Sequence, residues 1–170
     1  MSYFVVDVES DGPIPPDYSM VCFGAVVLDE FLNKTFYGMT KPISKNYQPQ
    51  TLEISGVSRE KHESFEDPKE VFLKFLEWIE SNSIGKPIFI SDNPCYDWQW
   101  INYYFHHFMG KNPFGYSGRR IGDLYCGLVR DTRAQWKHLR KTIHDHNPVN
   151  DAIGNAEALL AIEKMGLKIR

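Results

Sequence analysis

A single α/β domain built on a mixed sheet is what this chain of 170 residues predicts, on three observations. The chain opens on an apolar run that carries two carboxylates, Tyr3-Phe4-Val5-Val6-Asp7-Val8-Glu9, and two more strand-like runs follow across short turns. A well-signalled amphipathic helix then crosses to a fourth short apolar run, the kind of connection that pairs strands in parallel. Helical segments occupy most of the remainder.

In the first strand, alternate side chains share a face, so Asp7 and Glu9 point the same way while Val8 faces the core. Adjacent carboxylates repel unless one is protonated or a cation sits between them, and hard divalent ions such as Mg2+ and Mn2+ prefer oxygen ligands. An edge strand whose Asp7 and Glu9 face water accounts for this stretch equally well. Residues 12–17 carry three prolines and form a rigid loop. Met20 to Leu28 is almost continuously apolar, as in a strand buried on both faces. After a turn at Asp29-Glu30, Phe31 to Lys41 alternates and stops at Pro42, completing an antiparallel meander.

Short helical pieces are expected at residues 50–54 and 58–62. Asp67 as N-cap and Pro68 at the first helical position open a helix to about Ser81, with Val71, Phe72, Phe75, Leu76, Trp78 and Ile79 at helical spacing. Ile88-Phe89-Ile90 is the fourth strand. An aromatic helix covers 96–109 and is capped by Gly110. Arg119 to Leu124 is the end of a short strand or a turn before a helix reaching about Arg133. The last helix runs from Pro148 to Met165, turns Ala152, Ala156, Leu159, Leu160 and Ile162 inward, and stops at Gly166.

Composition narrows the class. With 42% apolar and 14% aromatic residues the chain is neither disordered nor membrane-spanning, since no run approaches the ~20 apolar residues of a span. The N-terminus lacks a basic start and apolar signal core, so a cytoplasmic location is expected. Cys22, Cys95 and Cys126 lack CxxC spacing and read as buried small hydrophobes. The net charge of −3 is uneven: residues 118–141 hold seven basic and two acidic residues, leaving −8 elsewhere. A basic tract beside acidic groups suits a polyanion held by its phosphates, and a solvated helix face accounts for it as well.

If Asp7 and Glu9 hold a metal, other carboxylates should reach the same end of the sheet, where ligands of such folds collect. Asp97 follows the fourth strand in Asn93-Pro94-Cys95-Tyr96-Asp97-Trp98. Asp151 lies in the first turn of the last helix, with His146 five residues before it in the preceding loop.

D-x-E, then N-x-x-[FY]-D, then H-x4-D, in this order, resembles the DEDDh 3'-to-5' exonuclease family, which includes proofreading exonuclease subunits, RNase T and oligoribonuclease. The resemblance covers nearly the whole chain and is greatest to the small branch of the poly(A)-directed RNase AS and the phage exonuclease DexA. It implies an RNase H-like fold: a five-stranded mixed sheet, antiparallel meander plus parallel strands, flanked by helices. Asp7, Glu9, Asp97 and Asp151 match the family's metal-binding carboxylates, and His146 its general base, acting with Glu9 at the catalytic centre. Two divalent ions, Mg2+ or Mn2+, are implied, a pair that activates water and relieves charge on the leaving oxygen. Ser10, Asp11 and Gly12 are expected under a 3'-terminal nucleotide, Asn93 braces the Asp97 loop, and Trp98 is a candidate to stack on a base. The substrate expected is a single-stranded RNA or DNA 3' end, RNA favoured, with no membrane partner and a homodimer as one expected state.

One feature departs from the family pattern: Pro148 stands where Ala is usual, two residues after the histidine. Asn147 stands where the sister group with a catalytic tyrosine would require Tyr, which favours the histidine type. His144 is two residues too early to match the base, and Asp92 and Asp123 read as turn or capping residues. A nucleic-acid-binding module without activity, or a phosphohydrolase of short oligonucleotides, are the alternative functions. A binder, however, has no use for four mutually repelling carboxylates.

Overall fold

The computed structural model describes residues 1–169. Five strands form one sheet in the order β3-β2-β1-β4-β5. They are β1 (Ser2–Ser10), β2 (Met20–Val27), β3 (Thr35–Met39), β4 (Pro87–Ser91) and β5 (Gly118–Arg120). β1 pairs antiparallel with β2 and parallel with β4, β2 pairs antiparallel with β3, and β4 parallel with β5. The first strand is therefore the centre of the sheet, and the wet edge strand is excluded. This is the mixed-sheet architecture predicted for the chain.

The helices are α1 (Pro49–Ile54), α2 (Arg59–Glu63), α3 (Pro68–Ser81), α4 (Pro94–Tyr104), α5 (Ile121–Val129) and α6 (Pro148–Lys164). β1 alternates between two cores, as its period demands. Phe4, Val6 and Val8 pack with Phe23, Phe72, Phe75, Trp100 and Phe105 on the side of α3 and α4. Tyr3 and Val5 pack with Ile121, Ala152, Ala156, Leu159 and Ile162 on the side of α5 and α6. Asp7 and Glu9 continue this second row, which aims them at the start of α6.

That approach is close because of one residue in β2. Gly24 is paired with Asp7 across the sheet, and a Cβ there would stand 2.3 Å from the Pro148 carbonyl. A glycine inside a strand marks such close backbone approach, and here it lets the first turn of α6 settle over Asp7.

Several boundaries differ from expectation for local reasons. β3 begins at Thr35, not Phe31, because the Asp29 carboxylate accepts the Phe31 and Leu32 amides at 3.0 and 2.9 Å and turns the chain, with Leu32 at φ 50°. α3 starts as predicted, Asp67 accepting the Lys69 amide at 3.0 Å. The aromatic helix starts at Pro94, and from Phe105 to Met109 it widens into a π turn closed by Gly110 at φ 71°. α5 stops at Val129, four residues short of Arg133, where Arg130 takes a left-handed conformation. The cysteines are corrected too: Cys22 is buried, Cys126 partly so, and Cys95 is exposed. Among the described residues no helix is long and apolar enough to cross a membrane.

Candidate active site

At the C-terminal end of β1, Asp7, Glu9 and Asp151 each present a carboxylate oxygen within 4.8 Å of the other two. Asp97, in the first turn of α4, is the fourth carboxylate. Its Oδ1 accepts the Val8 amide at 3.2 Å and its Oδ2 the Asn93 amide at 3.3 Å. β4 leaves β1 after Val5, and Asp97 fills the place a neighbouring strand would take beside Val8.

Burial and like charge strain this cluster. Burial raises the Asp7 pKa well above its ordinary value, and repulsion from Asp97, Asp151 and Glu9 adds to it against the pull of Arg140. Burial also raises Glu9, against the lowering by His146. Asp97 is pushed up to about 7 by burial, against hydrogen bonds from Ser91, Asn93 and Val8. Carboxylates held at such a cost are the arrangement a cation relieves, and an all-oxygen donor set suits Mg2+ or Mn2+ over softer ions.

His146 stands at the rim with φ 60°. Its amide donates to Asp151 Oδ2 at 3.1 Å, and its ring Nδ1 lies 3.3 Å from Glu9 Oε1. The H-x4-D spacing thus works through the backbone: the helix-start carboxylate holds the histidine loop it follows. Asn147 caps α6 by accepting the Val149 and Asn150 amides.

Two neighbours were not singled out for this cluster from the sequence. His144, passed over for its spacing, has Nδ1 2.7 Å from Asp151 Oδ1 and its ring 4.4 Å from that of His146. Arg140 was placed among candidate phosphate contacts, but its Nη2 donates inward to Asp151 Oδ1 at 2.7 Å. The basic character of the 118–141 tract hinted at Arg140, and for His144 the local pattern held no signal.

Other expectations need correction. The Ser10 hydroxyl is fully buried, donating to the Gly12 carbonyl at 2.6 Å and bonded to the Tyr96 hydroxyl, so it has no open surface to offer a nucleotide. Asp11 is fully buried as well, accepting the Ser19 amide and the Arg59 Nη1 at 2.9 Å. Gly12 is glycine because the Tyr18 ring lies where its Cβ would be, 2.0 Å away. These residues are the foundation of the loop and not its open floor. Asn93 braces Asp97 with its backbone, the side chain making no cap bond. Trp98 is half-buried and meets Phe89 edge-on at 5.0 Å, which makes it a packing residue. Asp92 and Asp123 pair with Lys137 and Arg120 at the surface, in keeping with turn and capping roles.

A curated 3'-5' DNA exonuclease of Escherichia coli, Cap18, is 38% identical to the chain over 178 residues, covering 96% of this chain and 92% of that protein. The chain belongs to the DEDDh 3'-to-5' exonuclease family. No family model matches it. Among solved structures the exonuclease resembles the nuclease domain of 3'hExo, a DEDDh family member bound to rAMP, with a TM-score of 0.81 and 15% identity. That superposition covers 99% of this chain and 94% of the other. E. coli Exonuclease I in complex with a dA16 oligonucleotide shares the fold at a TM-score of 0.71 and 17% identity, over 96% of this chain and 40% of that one. For the exonuclease, divalent metal dependence follows from the family, and the Asp7–Glu9–Asp151 cluster is where its residues fit such ions.

Proposed function

We propose that the chain removes nucleotides from the 3' ends of single-stranded DNA, using Mg2+ or Mn2+ held by Asp7, Glu9, Asp97 and Asp151. The observation that carries this reading is the convergence of three carboxylate oxygens within 4.8 Å beside an imidazole. Held by these carboxylates, two ions would supply a water of lowered pKa and relief for the charge on the scissile phosphate and the departing oxygen. His146 is the proton acceptor for that water: with Nδ1–H donating to Glu9, the Nε2 lone pair is free, on a side chain 46% exposed at the rim. Glu9 thereby has two tasks, cation ligand and partner of the imidazole, as carboxylates beside catalytic histidines do.

The preference for DNA over the RNA first expected is supported by the 38% identical relative, described as a DNA exonuclease. The 2'-hydroxyl is what separates the two polymers at any one contact. The deciding experiment offers 5'-labelled single-stranded DNA and RNA oligomers of one sequence to the purified protein with Mg2+ or Mn2+. A ladder shortening from the 3' end, faster on DNA and abolished by a chelator, is expected. Oligomers that stay bound but intact would sink the enzymatic reading in favour of a binding module.

A further inference from the structure

We propose that Arg140 is a positioning residue of the carboxylate cluster, its guanidinium seated on the bare backbone at Gly154 and holding Asp151 in the orientation that completes the cation site. The inference rests on the metal-dependent reading above. Arg140 belongs to the basic tract, yet its side chain is only 8% exposed and its Nη2 reaches Asp151 Oδ1 at 2.7 Å. Its Nε is buried without a hydrogen-bond partner among the described residues. A guanidinium that forgoes a donor in this way is held for its one carboxylate contact, because leaving a buried N–H unpaired is costly.

The seat is made by α6. Gly154 follows Asp151 by three residues and so lies on the same helix face. A Cβ at 154 would stand 2.6 Å from Arg140 Nε and 2.8 Å from Nη2, so a side chain there makes the guanidinium shift from this seat. Three residues further on, Glu157 fastens the chain immediately after Arg140, accepting the Lys141 and Thr142 amides at 2.8 and 2.7 Å and the Thr142 hydroxyl at 3.2 Å. One stripe of α6 therefore carries the metal-site aspartate, the seat for Arg140 and the anchor of the loop leading to His144 and His146.

The consequence for Asp151 follows from counting acceptor positions. A carboxylate offers about four lone-pair directions. Arg140 and His144 meet Oδ1, and the His146 amide meets Oδ2. An oxygen of this carboxylate lies within 4.8 Å of one from Asp7 and one from Glu9. Arg140 is the permanently charged member of the three and the one with a planar fork, so it sets the plane of the carboxylate most strongly.

The test compares wild type with Arg140→Gln, Arg140→Lys and Gly154→Ala, measuring Mn2+ binding to the protein by calorimetry, kcat and KM on a DNA oligomer, and thermal melting. Arg140→Gln should raise the Mn2+ dissociation constant about tenfold, the scale of effect seen for groups that orient a metal ligand. It should lower kcat while leaving the KM for DNA unchanged, and Arg140→Lys should recover part of both. Gly154→Ala alters no carboxylate and should reproduce the Arg140→Gln defect, while the double variant should be no worse than either. Unaltered Mn2+ affinity in Arg140→Gln and Gly154→Ala overturns the proposal, as does a rise in KM alone, which would make Arg140 a phosphate contact. Should Arg140→Gln melt too low to assay, Gly154→Ala and Arg140→Lys decide in the same way. Wild type that neither binds Mn2+ nor cuts DNA removes the functional reading itself, a result distinct from variants that match an active wild type.

Discussion

Asp7 and Asp11 lie four residues apart on one stretch of chain, the first partly and the second fully buried, and burial raises the pKa of both, yet they belong to different kinds of structure. Burial pushes Asp11 up to about 6, against the Ser19 amide and the Arg59 guanidinium that bind it. His62 completes that corner with Nδ1 3.6 Å away; burial lowers it to about 4, so the imidazole is neutral there. Asp7 has burial too, but its other carboxylate neighbours all push the same way, with Arg140 as the offsetting cation. Burial alone does not mark a functional carboxylate. The sign of what surrounds it does: Asp11 is balanced and holds a loop, whereas Asp7 is left with a deficit of positive charge that a bound cation would fill.

The contrast can be broken most directly by activity. His146→Ala should cost about 10²–10⁴-fold in turnover, the usual worth of a general base, and Asp7→Asn should cost more, in single-turnover digestion of a labelled DNA oligomer. Asp7→Asn should also abolish Mn2+-induced stabilisation. An Asp7→Asn protein that keeps near-wild-type turnover would remove Asp7 from the metal site.

Asp11→Ala should do the opposite. It strips a partner from Arg59, whose side chain is 17% exposed, and breaking such a buried pair costs about 3 kcal/mol. In a domain of this size that lowers the melting temperature by about 6–12 °C. Calorimetric Mn2+ affinity should be unchanged, and a loss of it at full stability would return Asp11 to the site.

The smallest effect concerns pH in the metal-free protein. A carboxylate whose folded pKa is raised contributes stability that is fully present below its unfolded value and lost as pH rises through the folded one. Asp7 therefore destabilises the metal-free fold at alkaline pH, and Asp7→Asn removes that burden. The variant should melt above metal-free wild type at pH 8, with the gap closing toward pH 4. Saturating Mn2+ should reverse the order at pH 8. A gap that widens toward acid would contradict the assigned shift.

Much of this was legible in the residues because it is local. The Asp67-Pro68 start of α3 needs only its own first turn, the D-x-E spacing puts two carboxylates on one face of any strand, and an aspartate four residues after Asn93 falls in a helix's first turn wherever that helix docks. The parts that were misjudged depend on what lies across the sheet. Ser10 and Asp11 have the same composition whether a loop is open or buried, and only Tyr96 and Arg59, 86 and 48 residues away, close it. Gly24 carried a signal, a glycine interrupting an apolar strand, but what approached it was not in the local pattern.

By itself, then, the sequence determined the first strand and its paired carboxylates, the Asp67-Pro68 start of α3 and the order in which Asp97, His146 and Asp151 arrive, since these follow from short-range periodicity and backbone chemistry. Tertiary structure decided which charges meet. The docking of α6 on Gly24 brings Asp151 to Asp7, and the bare surface of Gly154 turns Arg140 inward. A contact across the fold is set by how two elements pack, and no spacing within either element records it.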